Sequence, residues 1–180
     1  MIKKILNVGA AAVLAMVAGM MISCTPAAGG GNDTSPLFTE DELTVELKYG
    51  EFTLADGDYK LKLVSESDSM SGVTIYEFTV KNGVETYTSA TMNQSGTIPE
   101  GTTPEELEMA KQQGYVINGN HASIQKTATE EELKKMSGQT YVFKYGNGVK
   151  TNAEKTKFFL LQTYTESGKT STQKYYLEKK

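Results

Sequence analysis

This chain of 180 residues contains no arginine and no tryptophan, and only one histidine, one cysteine and four prolines. Each shortage removes a class of function. Without arginine there is no bidentate reader of phosphate or carboxylate, and without tryptophan a leading interface anchor is missing. The single histidine, His121, has no second imidazole and no thiolate to share a typical zinc site with. A single cysteine forbids a disulfide within the chain, so packing alone has to hold the fold. Positive charge is short as well. Eighteen basic residues face 22 acidic ones, a net charge of −4 at pH 7, and with no basic patch nucleic acid is a poor partner.

What is present starts at the N-terminus. Lys3 and Lys4 precede an apolar run over residues 5–22 in which only Asn7 is polar, and the run ends at Ser23-Cys24. A basic pair, an apolar stretch and a small residue make an export signal, not an element of the fold. The run is long enough to cross a bilayer, but its place behind the basic pair favours removal. Met21-Ile22-Ser23-Cys24 resembles the lipobox of bacterial lipoproteins, in which a signal peptidase cuts before the cysteine and the thiol takes a diacylglycerol. Met21 stands where leucine is usual, Ile22 and Ser23 are tolerated variants, and a box relaxed in this way is similar to those of spirochaete lipoproteins. The resemblance covers the signal and tether only; no family is recognised for the folded part. It implies that Cys24 is the lipid-attachment residue, acylated by palmitate-type chains, and that the protein is anchored to the cell envelope at the outer membrane. The alternatives are an ordinary signal cut near Pro26-Ala27-Ala28 and an uncleaved anchor. A lone unpaired cysteine in an exported protein would otherwise expose a reactive thiol, which favours the lipoprotein reading.

Three segments follow from this: a signal peptide at 1–23, a tether at 24–36 and one domain at 37–180. The tether sequence TPAAGGGNDTSP lacks large apolar residues and is rich in Gly, Ala and Ser. Fully extended it would reach roughly 40 Å. The chain from Cys24 onward has 157 residues, 16 lysines and 22 acids, a size that suits a single domain with a real core.

The domain reads mostly as strand. Residues 44–49 alternate, with Val45, Leu47 and Tyr49 on one face. Residues 51–55 lead to Asp56-Gly57, which predicts a hairpin turn into a strand at 58–65 with Tyr59, Leu61 and Leu63 inside and Lys60 and Lys62 outside. A polar loop is expected at 66–72. Strands at 73–81 and 84–92 then flank Asn82-Gly83, the most specific hairpin signal in the sequence. Further strands are expected at 139–145, 155–165 and 171–178, with a turn at residues 166–169 and a polar loop at 146–152. Phe158, Phe159, Leu160 and Leu161 predict a central strand covered on both faces, by sheet below and helix above.

Two helix starts stand out. Thr103-Pro104-Glu105-Glu106 supplies an N-cap, a proline in the first turn and a capping-box glutamate, predicting a helix to about Gln113 that Gly114 stops. Thr129-Glu130-Glu131-Glu132 repeats the signature for a helix over 130–136. Ungapped alignment of 103–117 with 129–143 matches seven of fifteen positions, so a helix feeding a strand is used twice. Thr39 and Glu42 have the same spacing and suggest a third, degenerate start. Two clear copies do not make a solenoid. The fold class expected is α+β: mainly antiparallel sheet, about eight strands, barrel-like or strongly curved, with two short helices.

Candidate chemistry is sparse. Glu105, Glu106, Glu130, Glu131 and Glu132 stand in helix first turns, where carboxylates favour the positive dipole end. His121 follows Asn118-Gly119-Asn120 and reads as a turn neighbour; no nucleophile elbow accompanies it. Ser123-Ile124-Gln125-Lys126 has the S-x-x-K form of penicillin-recognising enzymes, but it reads as strand and no K-T-G follows. Asp56, Asp58, Glu66 and Asp68 lack EF-hand spacing and read as turn residues. Ten tyrosines suit strands, and a cluster of them on an exposed face would mark a binding surface.

No catalytic, cofactor-binding or metal-binding residue is therefore assigned, no cofactor is expected, and no binding face is placed from sequence. The expectation is a monomeric, lipid-anchored, non-catalytic envelope module that binds a host protein, a glycan or a small ligand. A periplasmic structural or assembly role ranks second and a hydrolase third.

Overall fold

The computed structural model describes residues 33–48, 50–67, 70–138, 142–145, 148–166 and 169–180. In chain order the elements are β1 (Val45–Leu47), β2 (Gly50–Thr53), β3 (Gly57–Ser67), β4 (Met70–Lys81), β5 (Val84–Thr97), α1 (Pro104–Gln112), β6 (Val116–Asn118), β7 (His121–Thr127), α2 (Glu130–Met136), β8 (Val142–Tyr145), β9 (Val149–Thr151), β10 (Lys157–Glu166) and β11 (Lys169–Lys179). Nine strands form one sheet in the order β1-β9-β10-β11-β3-β4-β5-β7-β6, while β2 and β8 pair separately. Every pairing is antiparallel. The fold is thus α+β and mainly antiparallel sheet, as expected, but the sheet is open: among the described residues β1 and β6 are edges that do not meet. Both edge strands are three residues long, which limits the row of backbone groups offered to other chains. Among the described residues no helix is long and apolar enough to cross a membrane.

The hairpin at Asn82-Gly83 forms as predicted. Lys81 pairs with Val84, and Asn82 and Gly83 take φ of 53° and 73°, the positive values a two-residue turn following the strand twist requires. The Asp56-Gly57 hairpin does not form. β3 is hydrogen-bonded on one side to β4 and on the other to β11, so no ladder position is left for β2, which pairs with β8 instead. The Asp56 carboxylate accepts the Asn82 backbone N–H at 2.9 Å, bracing the neighbouring hairpin.

Three other boundaries are corrected. The expected loop at 66–72 is largely strand, since β3 runs to Ser67 and β4 begins at Met70 with Glu66 opposite Ser71. β5 continues past Met92 to Thr97 because β4 and β7 pair with it on both sides. Within the expected loop at 146–152 lies β9, clamped between β1 and β10. There Thr151 is fully buried, and its hydroxyl donates to the Lys157 carbonyl at 2.7 Å. In each case backbone pairing extends through polar residues, which hydropathy alternation cannot signal. Residues 139–141 of the predicted strand lie outside the described residues, as do 167 and 168 of the predicted turn.

Side chains alternate across the sheet into two cores. On one face Tyr59, Tyr76, Phe78, Val80, Ala90, Phe158 and Leu177 pack with Met136 of α2 and with Leu54; this is the helix face. On the other, Val64, Val73, Phe159 and Tyr176 are covered by Phe38 and Leu43. That cover is a strap, residues 33–43, and not the helix expected above Phe159. Phe38 meets Tyr176 edge-on with ring centres 5.5 Å apart. Lys62, expected outside, is 4% exposed. Its ammonium donates to the Ser35 carbonyl at 2.8 Å and lies 3.6 Å from Asp33, so the end of the nominal tether is part of the packed structure.

Both capping boxes form. The Thr103 hydroxyl accepts from the Glu106 N–H and the Glu106 carboxylate accepts from the Thr103 N–H; Thr129 and Glu132 do the same. At Thr39 the pattern yields only a 3₁₀ turn, Glu40–Glu42, with no side-chain cap on the backbone. The two helix-strand units end in different places: β6 is an edge of the large sheet, whereas β8 pairs with β2. α1 buries no residue, while α2 buries Met136. Because α2 packs on β5, its cap is coupled to the core, and Thr129→Ala is expected to lower unfolding free energy by about 1 kcal/mol. Urea denaturation followed by circular dichroism measures this; an unchanged midpoint would show that the cap contributes nothing.

Candidate functional site

Among the described residues, α2 and Leu54 cover only one end of the helix face. Towards the other end the cross-strand rows become polar and small: Gln173 lies opposite Ser65, which lies opposite Gly72, which lies opposite Gln94. Beyond them Ser171 is opposite Ser67. Together these residues line an open trough of about 190 Å³.

Two glutamine arms flank this trough. Gln94 lies over Gly72, where a Cβ would come within 2.7 Å of the Gln94 Cγ. A glycine inside a strand costs stability, and here it makes the space this arm occupies. The Tyr115 hydroxyl donates to Gln94 Oε1 at 2.7 Å, and burial raises that hydroxyl's pKa, so it remains a donor. Tyr115 itself is positioned by the C-terminal turn of α1, where its N–H bonds the Ala110 carbonyl at 3.0 Å and Gly114 takes φ of 95°. On the far side the Tyr175 hydroxyl donates to Gln173 Oε1 at 2.5 Å. Each carboxamide is thus fixed through its oxygen.

Among the described residues, the one charged residue lining the trough is Glu66. Strand alternation turns its side chain to the strap face, where the Lys174 ammonium donates to it at 3.0 Å. This hydrogen bond is the main reason the Lys174 pKa is raised. The trough is a surface of amides and hydroxyls, suited to hydrogen bonding.

The residues singled out in the sequence are dispersed. Glu106 and Glu132 are held by their capping bonds, and Glu105, Glu130 and Glu131 are exposed in the same first turns. His121 is exposed at the start of β7. Ser123 and Lys126, three apart on β7, face opposite sides of the sheet. Asp58 accepts the Thr79 hydroxyl at 2.6 Å. Asp68 and Cys24 lie outside the described residues. Among the described residues, no three His, Cys, Asp or Glu side chains converge as metal ligands would.

The tyrosines divide. Tyr59, Tyr76 and Tyr176 are buried, Tyr59 stacked on Phe78 at 5.5 Å. Tyr115 and Tyr175 are half-buried, and their hydroxyls hold the two glutamines of the trough. Gln94, Gln173 and Tyr115 had no motif to mark them. Gly72 did carry a signal, since a glycine between strand-forming residues indicates a close approach, but the expected loop at 66–72 hid it.

Comparison with protein-family models, with curated proteins and with solved structures finds no match to this chain.

Proposed function

We propose that this protein is a lipoprotein of the bacterial cell envelope, anchored through lipid on Cys24 at the outer membrane, whose domain binds a partner and turns nothing over. The observation that carries the binding reading is the polar end of the helix face, which neither α2 nor Leu54 covers, with its glycine-made recess and its two tyrosine-fixed glutamines. Recognition favours such groups: amides and hydroxyls supply directional bonds, and tyrosines supply amphipathic area at low entropic cost. The strap supports the arrangement. It packs Phe38 and Leu43 on the face opposite the trough, which leaves the trough free of the strap. Partner classes are a host protein, a glycan or a small ligand, bound by a monomer.

Two experiments test this. For the anchor, fatty-acid labelling and detergent phase separation are expected to place the wild type in the detergent phase and Cys24→Ala in the aqueous phase; equal partitioning would reject lipidation at Cys24. For the domain, the purified chain is screened against hydrolase substrates and, in parallel, against matrix proteins, serum proteins and glycans. Saturable binding without turnover is expected. Turnover abolished by changing a single Glu, Asp or Lys would overturn the non-catalytic reading.

A further inference from the structure

Resting on the binding reading above, we infer that the ligand of the trough is a neutral saccharide chain, one sugar unit of which seats over Gly72 between Gln94 and Gln173. Charge narrows the choice first. An anionic ligand needs cations and a cationic ligand needs carboxylates, yet among the described residues the one charged lining residue, Glu66, is paired with Lys174 on the other face of the sheet. Phosphorylated, sulfated and sialylated ligands would lose water around their charges with no cation among the described lining residues to balance them.

The remaining groups match what a sugar offers. Both glutamines accept a tyrosine hydroxyl through Oε1, which leaves each Nε2 with two hydrogens for a ligand oxygen. Ser65 and Ser171 add hydroxyls able to donate or accept, as a polyol requires. Tyr115 and Tyr175 act on the trough through their hydroxyls, which hold the two carboxamides in place for a ligand. At about 190 Å³ the recess falls below the roughly 300–1,000 Å³ of pockets that enclose a drug-sized ligand. It is also open along the sheet. A chain lying across the face with one unit seated fits that shape better than an engulfed small molecule.

The test uses the full chain on an array of neutral oligosaccharides built from hexoses and N-acetylhexosamines, with sialylated and sulfated glycans and a panel of matrix and serum proteins alongside. Calorimetric titration with the tightest neutral oligosaccharide follows. Gln94→Ala and Gln173→Ala are each expected to weaken binding about fivefold to tenfold, and Gly72→Ala comparably, because its Cβ displaces the Gln94 arm. Leu161→Ser, at a half-exposed position on the strap face, is expected to leave affinity unchanged. Circular dichroism confirms that each variant is folded, and the two surface glutamine variants keep the test decisive should Gly72→Ala not fold. Neutral-glycan binding that neither glutamine variant weakens would overturn the assignment to the trough. Binding only to charged glycans, or only to a protein, would overturn the saccharide inference while leaving the binding reading standing. Absence of binding to every probe would overturn both.

Discussion

Phe38→Ala is expected to lower the unfolding free energy by about 3 to 5 kcal/mol, the range for deleting a buried phenylalanine. The ring is 8% exposed and sits under the Lys157 ammonium, 5.6 Å from its centre. It packs edge-on against Tyr176, which in turn lies 5.0 Å from the ring of Phe159. Removing it takes away transfer energy and leaves a cavity that a strap of eleven residues, 33–43, is too short to fill by collapsing. A second cost follows. The buried Lys62 ammonium is held by the Ser35 carbonyl and by Asp33, both on the strap, so loosening the strap weakens the bonds that offset the burial of its charge. Urea unfolding gives the energy, and hydrogen exchange gives the location. A loss below about 1 kcal/mol, with protection unchanged in Val64 and Tyr176, would show that the strap lies outside the cooperative unit.

The second large effect is expected at Glu85. This side chain is 5% exposed, and burial raises its pKa, partly countered by the Tyr87 hydroxyl that donates to it at 3.0 Å. Its backbone carbonyl also receives the Gly138 N–H at 2.8 Å, where α2 ends against β5. A carboxylic acid with a raised folded pKa binds more protons folded than unfolded in the interval between its two pKa values. Stability therefore falls as pH rises through that interval, starting from the usual carboxylate range, and the loss is complete above the folded pKa. Glu85→Gln keeps the shape and an acceptor for Tyr87 without the charge. It is expected to be more stable than the wild type by about 1 to 2 kcal/mol at pH 8, the scale of an imperfectly compensated buried polar group. The advantage is expected to vanish by pH 4. Thermal unfolding of both proteins from pH 4 to 8 measures it; an equal gain at every pH would reject the linkage.

Where local chemistry was strong enough to act alone, the residues were legible in advance. Thr103 with Glu106 and Thr129 with Glu132 specify helix starts through bonds made within one turn. Asn82-Gly83 specifies its hairpin because few other residue pairs accept positive φ twice. Asp56-Gly57 uses the same vocabulary, but β11 takes the side of β3 that β2 would have needed. A turn signal states what the backbone is able to do; competition between strands distant in sequence states what it does. Lys62 failed as a surface residue for the same reason, since nothing near it in the chain announces a carbonyl 27 positions earlier.

A mainly antiparallel α+β chain, its two helices and its central hairpin could be read from the residues alone, because each depends on contacts or chemistry within a few residues. Long-range packing was needed to settle which strands are neighbours, that residues 33–43 and not a helix cover Phe159 and Tyr176 on the second face, and that Gln94, Gly72 and Gln173 share one trough. Those three come from β5, β4 and β11, brought side by side by pairing β11 with β3 across about a hundred residues. That pairing is fixed by the burial of whole faces, which no local window of the chain contains.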